Sequence, residues 1–286
     1  MSDTEEIGSL IARLWPEPPR AAGFIVTIYG DVVDPRGGVL WVGNLIEICR
    51  KVGISESLVR TAVSRLVAAD QLIGERDGRR SFYRLTDKAR VEYLAASKLL
   101  FAPEPRPEAW LIAPDARTED EECLRQLGFR SIGGVLIGPD RGIADQIPGP
   151  VFRADLSGGL NDLPAFAEKN WGLSAIQASY QTFCVRYSPI SAALLEGPAI
   201  GGEEALALRL MLVHDFRAVL LRDPRLPQDA LPADWMGRQA RELFADLYKG
   251  LTPACDRHVA MCLANADGFL PGETDVSNRR LTTISG

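Results

Sequence analysis

The side chains best suited to chemistry in this sequence are arginines and small hydroxyl groups between positions 55 and 84. An apolar stripe predicts a helix there, with Ser55 as its N-cap and Glu56 in its first turn. The stripe consists of Leu58, Val59, Ala62, Val63, Leu66 and Val67. On the opposite face, small side chains would let the helix enter a DNA major groove, and arginines would reach phosphates or guanine edges. The candidate DNA contacts on this helix are Ser57, Arg60, Thr61, Ser64 and Arg65.

A basic hairpin is predicted directly after this helix. Two segments of alternating polarity flank Asp77-Gly78, a dipeptide that favours a tight turn. Four arginines crowd the hairpin, and like charges held this close repel one another unless an anion lies beside them. We therefore expect them to contact DNA phosphates or the minor groove. They are Arg76, Arg79, Arg80 and Arg84.

The elements that must position these side chains follow in a recognisable order. Residues 22–31 and 41–51 each carry the apolar pattern of a helix, and Gly53 provides a stop after the second. Two helices, a short turn, a third helix and a basic hairpin are typical of a winged helix-turn-helix, predicted here for residues 20–100. The same unit could instead serve as a protein-interaction adaptor. Salt distinguishes the two, because phosphate-driven DNA binding weakens steeply as salt rises.

Charge is distributed unevenly along the chain, whose net charge is −6. Residues 20–95 contain 12 Lys and Arg against 9 Asp and Glu, so this segment is basic within an acidic protein. This asymmetry allows one part of the molecule to bind nucleic acid while the remainder has another role.

Cysteine and histidine usage argues against metal or disulfide chemistry. The five cysteines are scattered without a CxxC pair, and there are only two histidines. We expect the cysteines to be small buried hydrophobes in a reducing compartment.

The apolar runs are far shorter than the roughly 20 residues of a spanning helix, and the first residues are acidic. The sequence therefore predicts a cytoplasmic protein without a metal site.

Two breaks divide the chain after the basic segment. Three prolines within residues 101–107 predict an extended linker, and a glycine-rich stretch covers residues 197–202. We predict a middle domain at residues 107–160 and a helical C-terminal domain at residues 161–265.

Two separated blocks of sequence carry a family resemblance. The first contains Phe24-Ile-Val-Thr-Ile-Tyr-Gly-Asp31, Pro35-Arg-Gly-Gly38, Trp41, Gly53-Ile-Ser-Glu-Ser-Leu-Val-Arg-Thr-Ala-Val-Ser-Arg-Leu66 and Gly78-Arg-Arg-Ser-Phe-Tyr-Arg-Leu-Thr86. The second contains His214-Asp-Phe-Arg217, Leu221-Arg-Asp-Pro-Arg-Leu-Pro227 and Leu231-Pro-Ala-Asp-Trp235 with Gly237. In this order they resemble the PaaX-type regulators, the repressor family of phenylacetate-degradation operons. The resemblance extends from position 20 to about position 258.

The resemblance implies an α+β protein with a winged-helix N-terminal domain, a small ferredoxin-like middle domain and a helical C-terminal domain. It also implies repression of aromatic catabolic genes and release from DNA by an aryl-CoA thioester, phenylacetyl-CoA or a related acyl-CoA. We expect a homodimer bound to double-stranded operator DNA, with no cofactor beyond that effector.

The second block offers a candidate effector site. His214, Arg217, Arg222 and Arg225 lie within twelve positions of one another, and guanidinium groups can bind phosphates bidentately. The alternative is that these residues are structural and pair with acidic neighbours. An enzymatic function rests on Asp115 alone, and an aspartate after a proline is typical of a turn. We predict no catalytic residue.

Overall fold

The computed structural model describes residues 14–102, 106–115, 118–196 and 200–284. The described residues form two compact units. The first takes residues up to 102, residues 183–218 and residues 241–284, whereas the second takes residues 106–182 and 219–240. These units are defined by contacts, and the consecutive domains predicted from the sequence stay a prediction. Parts of both predicted linkers, at 103–105 and 197–199, lie outside the described residues.

The first unit begins with the predicted helices and hairpin. Helix α1 (Ala21–Ile28) continues into a π-helical turn, Tyr29–Val33, and α2 (Val42–Lys51) and α3 (Glu56–Ala68) follow. A three-stranded antiparallel sheet contains β1 (Val39–Trp41), β2 (Leu72–Asp77) and β3 (Arg80–Leu85) in the order β1-β3-β2. This arrangement of three helices and a β-hairpin is typical of a winged helix.

The buried face of α3 is narrower than the sequence suggests. Val59, Val63 and Leu66 are buried, whereas Leu58 is 54% exposed and Val67 is 41% exposed. Successive residues turn by about 100° in a helix, so these two lie at the edges of the arc that faces the core. The prediction that they belong to the buried stripe was wrong.

Two boundaries differ from the predicted ones by a residue. Trp41 ends β1, where it pairs with Phe82, and helix α2 begins only at Val42. The hairpin is confirmed, but its last pair is Asp77 with Arg80, so Gly78 and Arg79 form the connection. Gly78 has a φ of 56°, a value that favours glycine, and it takes the first central position of the turn.

Further α-helices follow in the part of the chain that is described. They are α4 (Asp87–Phe101), α7 (Leu173–Glu196), α8 (Gly202–Leu220), α9 (Gly237–Cys262) and α10 (Asp275–Thr283), with α5 (Thr118–Gln126) and α6 (Leu163–Trp171) in the second unit. The boundary between the two units falls within α7, α8 and α9. None of the described helices is both long enough and apolar enough to cross a membrane.

The first unit contains a buried network of charges. Arg209 on α8 donates to Asp31 in the π-helical turn at 3.0 Å and lies 3.2 Å from Asp256 on α9. Arg36 donates to the same Asp256 oxygen at 2.7 Å. Charges are tolerated in a core only when they are paired and hydrogen-bonded. The network therefore fixes the segment that follows α1 against the C-terminal helices of this unit.

The second unit contains a four-stranded antiparallel sheet. Its strands are β4 (Trp110–Ala113), β5 (Arg130–Ile132), β6 (Val135–Pro139) and β7 (Phe152–Ala154), in the order β5-β6-β4-β7. Helix α5 connects β4 to β5, while a single 3-10 turn, Ala144–Gln146, lies between β6 and β7. Two antiparallel sheets among many helices confirm the predicted α+β class.

Candidate nucleic-acid interface

The face of α3 opposite its core contacts is open to solvent. All five predicted contacts on this helix are exposed. The Thr61 hydroxyl donates to the Ser57 carbonyl at 2.8 Å, and the Ser57 hydroxyl lies 3.2 Å from that of Ser55. Ser55 takes the N-cap position with extended backbone angles but makes no capping hydrogen bond. Among the five predicted contacts, the serine and threonine side chains therefore lie close to the helix, and only the two arginines extend from it.

Arg60 is held by an acidic neighbour on the same helix. Its guanidinium lies 2.7 Å from the Glu56 carboxylate, one turn earlier, and both side chains are largely exposed. Exposed ion pairs of this kind contribute at most about 1 kcal/mol. A phosphate or a base edge can therefore replace Glu56 as the partner of Arg60.

The hairpin presents its arginines in two environments. Arg76, Arg79 and Arg80 are exposed, whereas Arg84 is half-buried and lies 3.6 Å from Glu75. The Arg80 guanidinium stacks 5.0 Å from the centre of the Trp41 ring. Stacking on an aromatic face orients a guanidinium while its charge remains available. Trp41 is thus a positioning residue that the sequence reasoning assigned to a helix instead.

A groove of about 460 Å³ separates α3 from the hairpin. Arg60 and Ser64 line it from the helix, and Arg76, Ser81 and Tyr83 line it from the strands. The structure thus brings together one arginine from each predicted element. The remaining predicted contacts lie outside this groove; Arg84 is half-buried, and the others are on the exposed surfaces of α3 and the hairpin. Tyr83 was missed, although an aromatic residue among the hairpin arginines was a visible signal.

Comparison with known proteins identifies the family. A family model described as PaaX-like protein matches residues 20–89, and one described as PaaX-like protein C-terminal domain matches residues 171–261. The transcriptional repressor PaaX of Escherichia coli (strain K12) is 31% identical over 283 residues, covering 89% of this chain and 87% of that protein. The chain belongs to the PaaX-like family. Every predicted DNA contact of this PaaX-like protein lies in the first matched segment.

A solved structure also resembles this PaaX-like protein. It is the uncharacterized protein Rv0674 from Mycobacterium tuberculosis, with a TM-score of 0.44 and 22% sequence identity. The match covers 75% of this chain and 89% of that one.

The predicted effector residues of this PaaX-like protein are divided between the two units. His214 and Arg217 lie on α8 in the first unit, whereas Arg222 and Arg225 follow that helix in the second. The His214 Nδ1 lies 3.0 Å from the Thr27 hydroxyl, and burial lowers the pKa of its imidazole. Arg217 donates to a backbone carbonyl of α1 at 3.4 Å, and burial lowers the pKa of its guanidinium as well. These two side chains contact α1 directly, and an effector role for the four stays a prediction.

Asp115 lies just after β4 with its side chain exposed. Within the described parts of the chain, no three His, Cys, Asp or Glu side chains are grouped as metal ligands would be.

Proposed function

We propose that this protein is a DNA-binding transcriptional repressor of an aromatic, phenylacetate-type catabolic operon. The observation that supports this most is the exposed face of α3, where Ser57, Thr61 and Ser64 lie between Arg60 and Arg65. Small side chains on such a face permit close approach to a major groove, and the arginines supply the charge. The relative in Escherichia coli is named as a transcriptional repressor. The proposal assigns the protein no catalytic activity.

In the proposed complex, α3 lies in the major groove. Arg60, Thr61 and Ser64 contact base edges, and Arg60 exchanges Glu56 for its DNA partner. The hairpin arginines bind phosphates or the adjacent minor groove, which fixes the register without reading sequence. They are Arg76, Arg79, Arg80 and Arg84.

The proposed repressor is a homodimer. Its two α3 helices would enter successive major grooves of a partly palindromic operator, about 34 Å apart. An aryl-CoA thioester, phenylacetyl-CoA or a related acyl-CoA, would bind and favour an arrangement that no longer matches the groove spacing. Linkage then requires DNA to weaken effector binding by the same factor. The proposed effector contacts are His214, Arg217, Arg222 and Arg225.

Fluorescence anisotropy with a labelled duplex from the promoter of its own gene tests this proposal. Binding should be tighter than to a shuffled duplex, weaken between about 50 and 200 mM salt, and be reversed by phenylacetyl-CoA. Operator binding that phenylacetyl-CoA does not reverse would support the repressor and exclude this thioester as its effector. Equal, salt-insensitive binding to both duplexes would contradict the repressor and favour the protein-interaction adaptor.

A further inference from the structure

The second unit contains a pocket of about 380 Å³ that shares only one residue with the predicted effector site. This volume lies within the range of about 300–1,000 Å³ that is usual for small-molecule sites. The pocket is lined by the end of α5, the start of β5, the junction of α6 with α7, and residues 221–224. Of the four predicted effector contacts, only Arg222 lines this pocket.

Three arginines from different parts of the second unit line this pocket: Arg125, Arg130 and Arg222. Arg222 is exposed, and its side chain makes no hydrogen bond or ion pair with the described residues. Arg130 donates from Nη1 to the carbonyls of Phe129 at 2.7 Å and Arg125 at 3.2 Å. A guanidinium carries five N–H donors, so these bonds orient Arg130 and leave donors on its other nitrogens.

The floor of the pocket is closely packed. The Trp171 indole is buried and donates to the Gly128 carbonyl at 2.6 Å. Gly128 has a φ of 95°, and a Cβ there would lie 2.9 Å from the Pro224 carbonyl oxygen. Only glycine satisfies both conditions, so α5, the start of β5 and residues 221–224 are held closely together.

Carboxylates offset part of the positive charge. Glu121 lies 3.1 Å from Arg125 on the same helix, in a partly exposed pair. Asp223 also lines the pocket, but its two oxygens accept hydrogen bonds from the Tyr180 hydroxyl and the Arg225 backbone N–H, both at 2.7 Å. Arg130 and Arg222 have no such carboxylate partner among the described residues. Burial lowers the pKa of the Arg130 guanidinium, and the nearby charge of Arg125 lowers it further.

We infer that this pocket binds a phosphate-bearing small molecule, with Arg130 and Arg222 contacting the phosphates. Guanidinium groups match phosphate oxygens in geometry and charge, and several arginines around one pocket favour a polyanion over a neutral ligand. A role for this ligand in releasing DNA rests on the proposed function. The binding itself does not.

Calorimetric titration of the full-length protein with inorganic pyrophosphate tests the inference. We expect one site per chain, weakened about tenfold by Arg222→Ala and by Arg130→Ala, as loss of a charge-assisted hydrogen bond predicts. Arg153→Ala is the matched control, because it removes an exposed arginine of β7 in the same unit outside the pocket. Since Arg222 is exposed, its replacement should leave thermal unfolding unchanged.

Three outcomes would overturn the inference. They are no binding of pyrophosphate to the wild-type protein, unchanged affinity in both pocket variants, or an equal loss in Arg153→Ala. Promoter binding by the wild-type protein, measured separately without pyrophosphate, distinguishes the two proposals. If the protein binds pyrophosphate but not the promoter, the inference about the pocket holds and only the repressor proposal is contradicted. If it binds the promoter but not pyrophosphate, only the inference about the pocket is contradicted.

Discussion

Arginine side chains of this protein occupy three environments, and the environment decides what each can do. Those of α3 and the hairpin are mostly exposed, so their charge is available to DNA. Arg209 is 1% exposed and lies among carboxylates. Its burial disfavours the charged form, but nearby acidic groups, Asp31 foremost, outweigh this and raise its pKa above the usual value. Arg130, which is half-buried, and Arg222, which is exposed, line a pocket in the second unit.

Arg60 should determine operator preference. Arg60→Ala should reduce discrimination between the operator and a shuffled duplex by about 1–3 kcal/mol, the usual value of a bidentate base contact. Arg60→Lys is the matched control: it keeps the charge but cannot form the planar pair, so general affinity should persist while preference falls. Competition anisotropy measures both. Full preference in Arg60→Ala would exclude base reading by this residue.

His214 should make stability depend on pH. Burial lowers its pKa in the folded protein below the unfolded value of about 6.5. Above that value the imidazole is neutral in both states. As pH falls below it the unfolded chain binds the proton more readily, so the free energy of unfolding should decrease.

Urea unfolding at about pH 7.5 and about pH 5.5, on either side of the unfolded-state pKa of histidine, measures this change in the free energy of unfolding. The His214→Gln protein should lose less stability on acidification than the wild-type protein. His258→Gln, which removes the other histidine, should retain the wild-type dependence. The same loss in all three proteins would show that His214 is not responsible.

At the scale of elements, the buried network joins the segment after α1 to α8 and α9. Asp31 accepts from Arg209 and from the Tyr248 hydroxyl at 2.9 Å, and Arg280 on α10 donates to its backbone carbonyl at 3.2 Å. These partners come from three C-terminal helices of the same unit. The position of the segment after α1 therefore depends on residues that are far away in the sequence.

Arg209→Met should destabilise the protein strongly. It leaves the Asp31 and Asp256 carboxylates buried without one of their partners, which typically costs about 3–5 kcal/mol. Lys51→Met is the control, because the exposed pair of Lys51 with Glu203 at 2.6 Å should contribute less than about 1 kcal/mol. Urea denaturation measures both free energies of unfolding. Equal effects would contradict the structural importance of the network.

At the scale of the whole molecule, local signals were predictable and long-range pairings were not. The α3 stripe and the turn at Gly78 are encoded within a few residues, and both elements form close to their predicted positions. Sequence patterns place arginine on surfaces. They could not indicate that Arg36 is buried beside Asp256, 220 positions later. The pocket of Arg125, Arg130 and Arg222 likewise unites segments that no local pattern connects.

The salt dependence of promoter binding tests the central claim, that the α3 and hairpin surface binds DNA through its arginines. Arg79→Ala combined with Arg80→Ala should weaken binding to every sequence. It should also reduce the log–log salt slope by about 1.8, since each phosphate contact contributes about 0.9. Arg257→Ala, an exposed arginine of α9 in the same unit, should leave both unchanged. Wild-type affinity and slope in the double variant would contradict the hairpin's role in binding DNA.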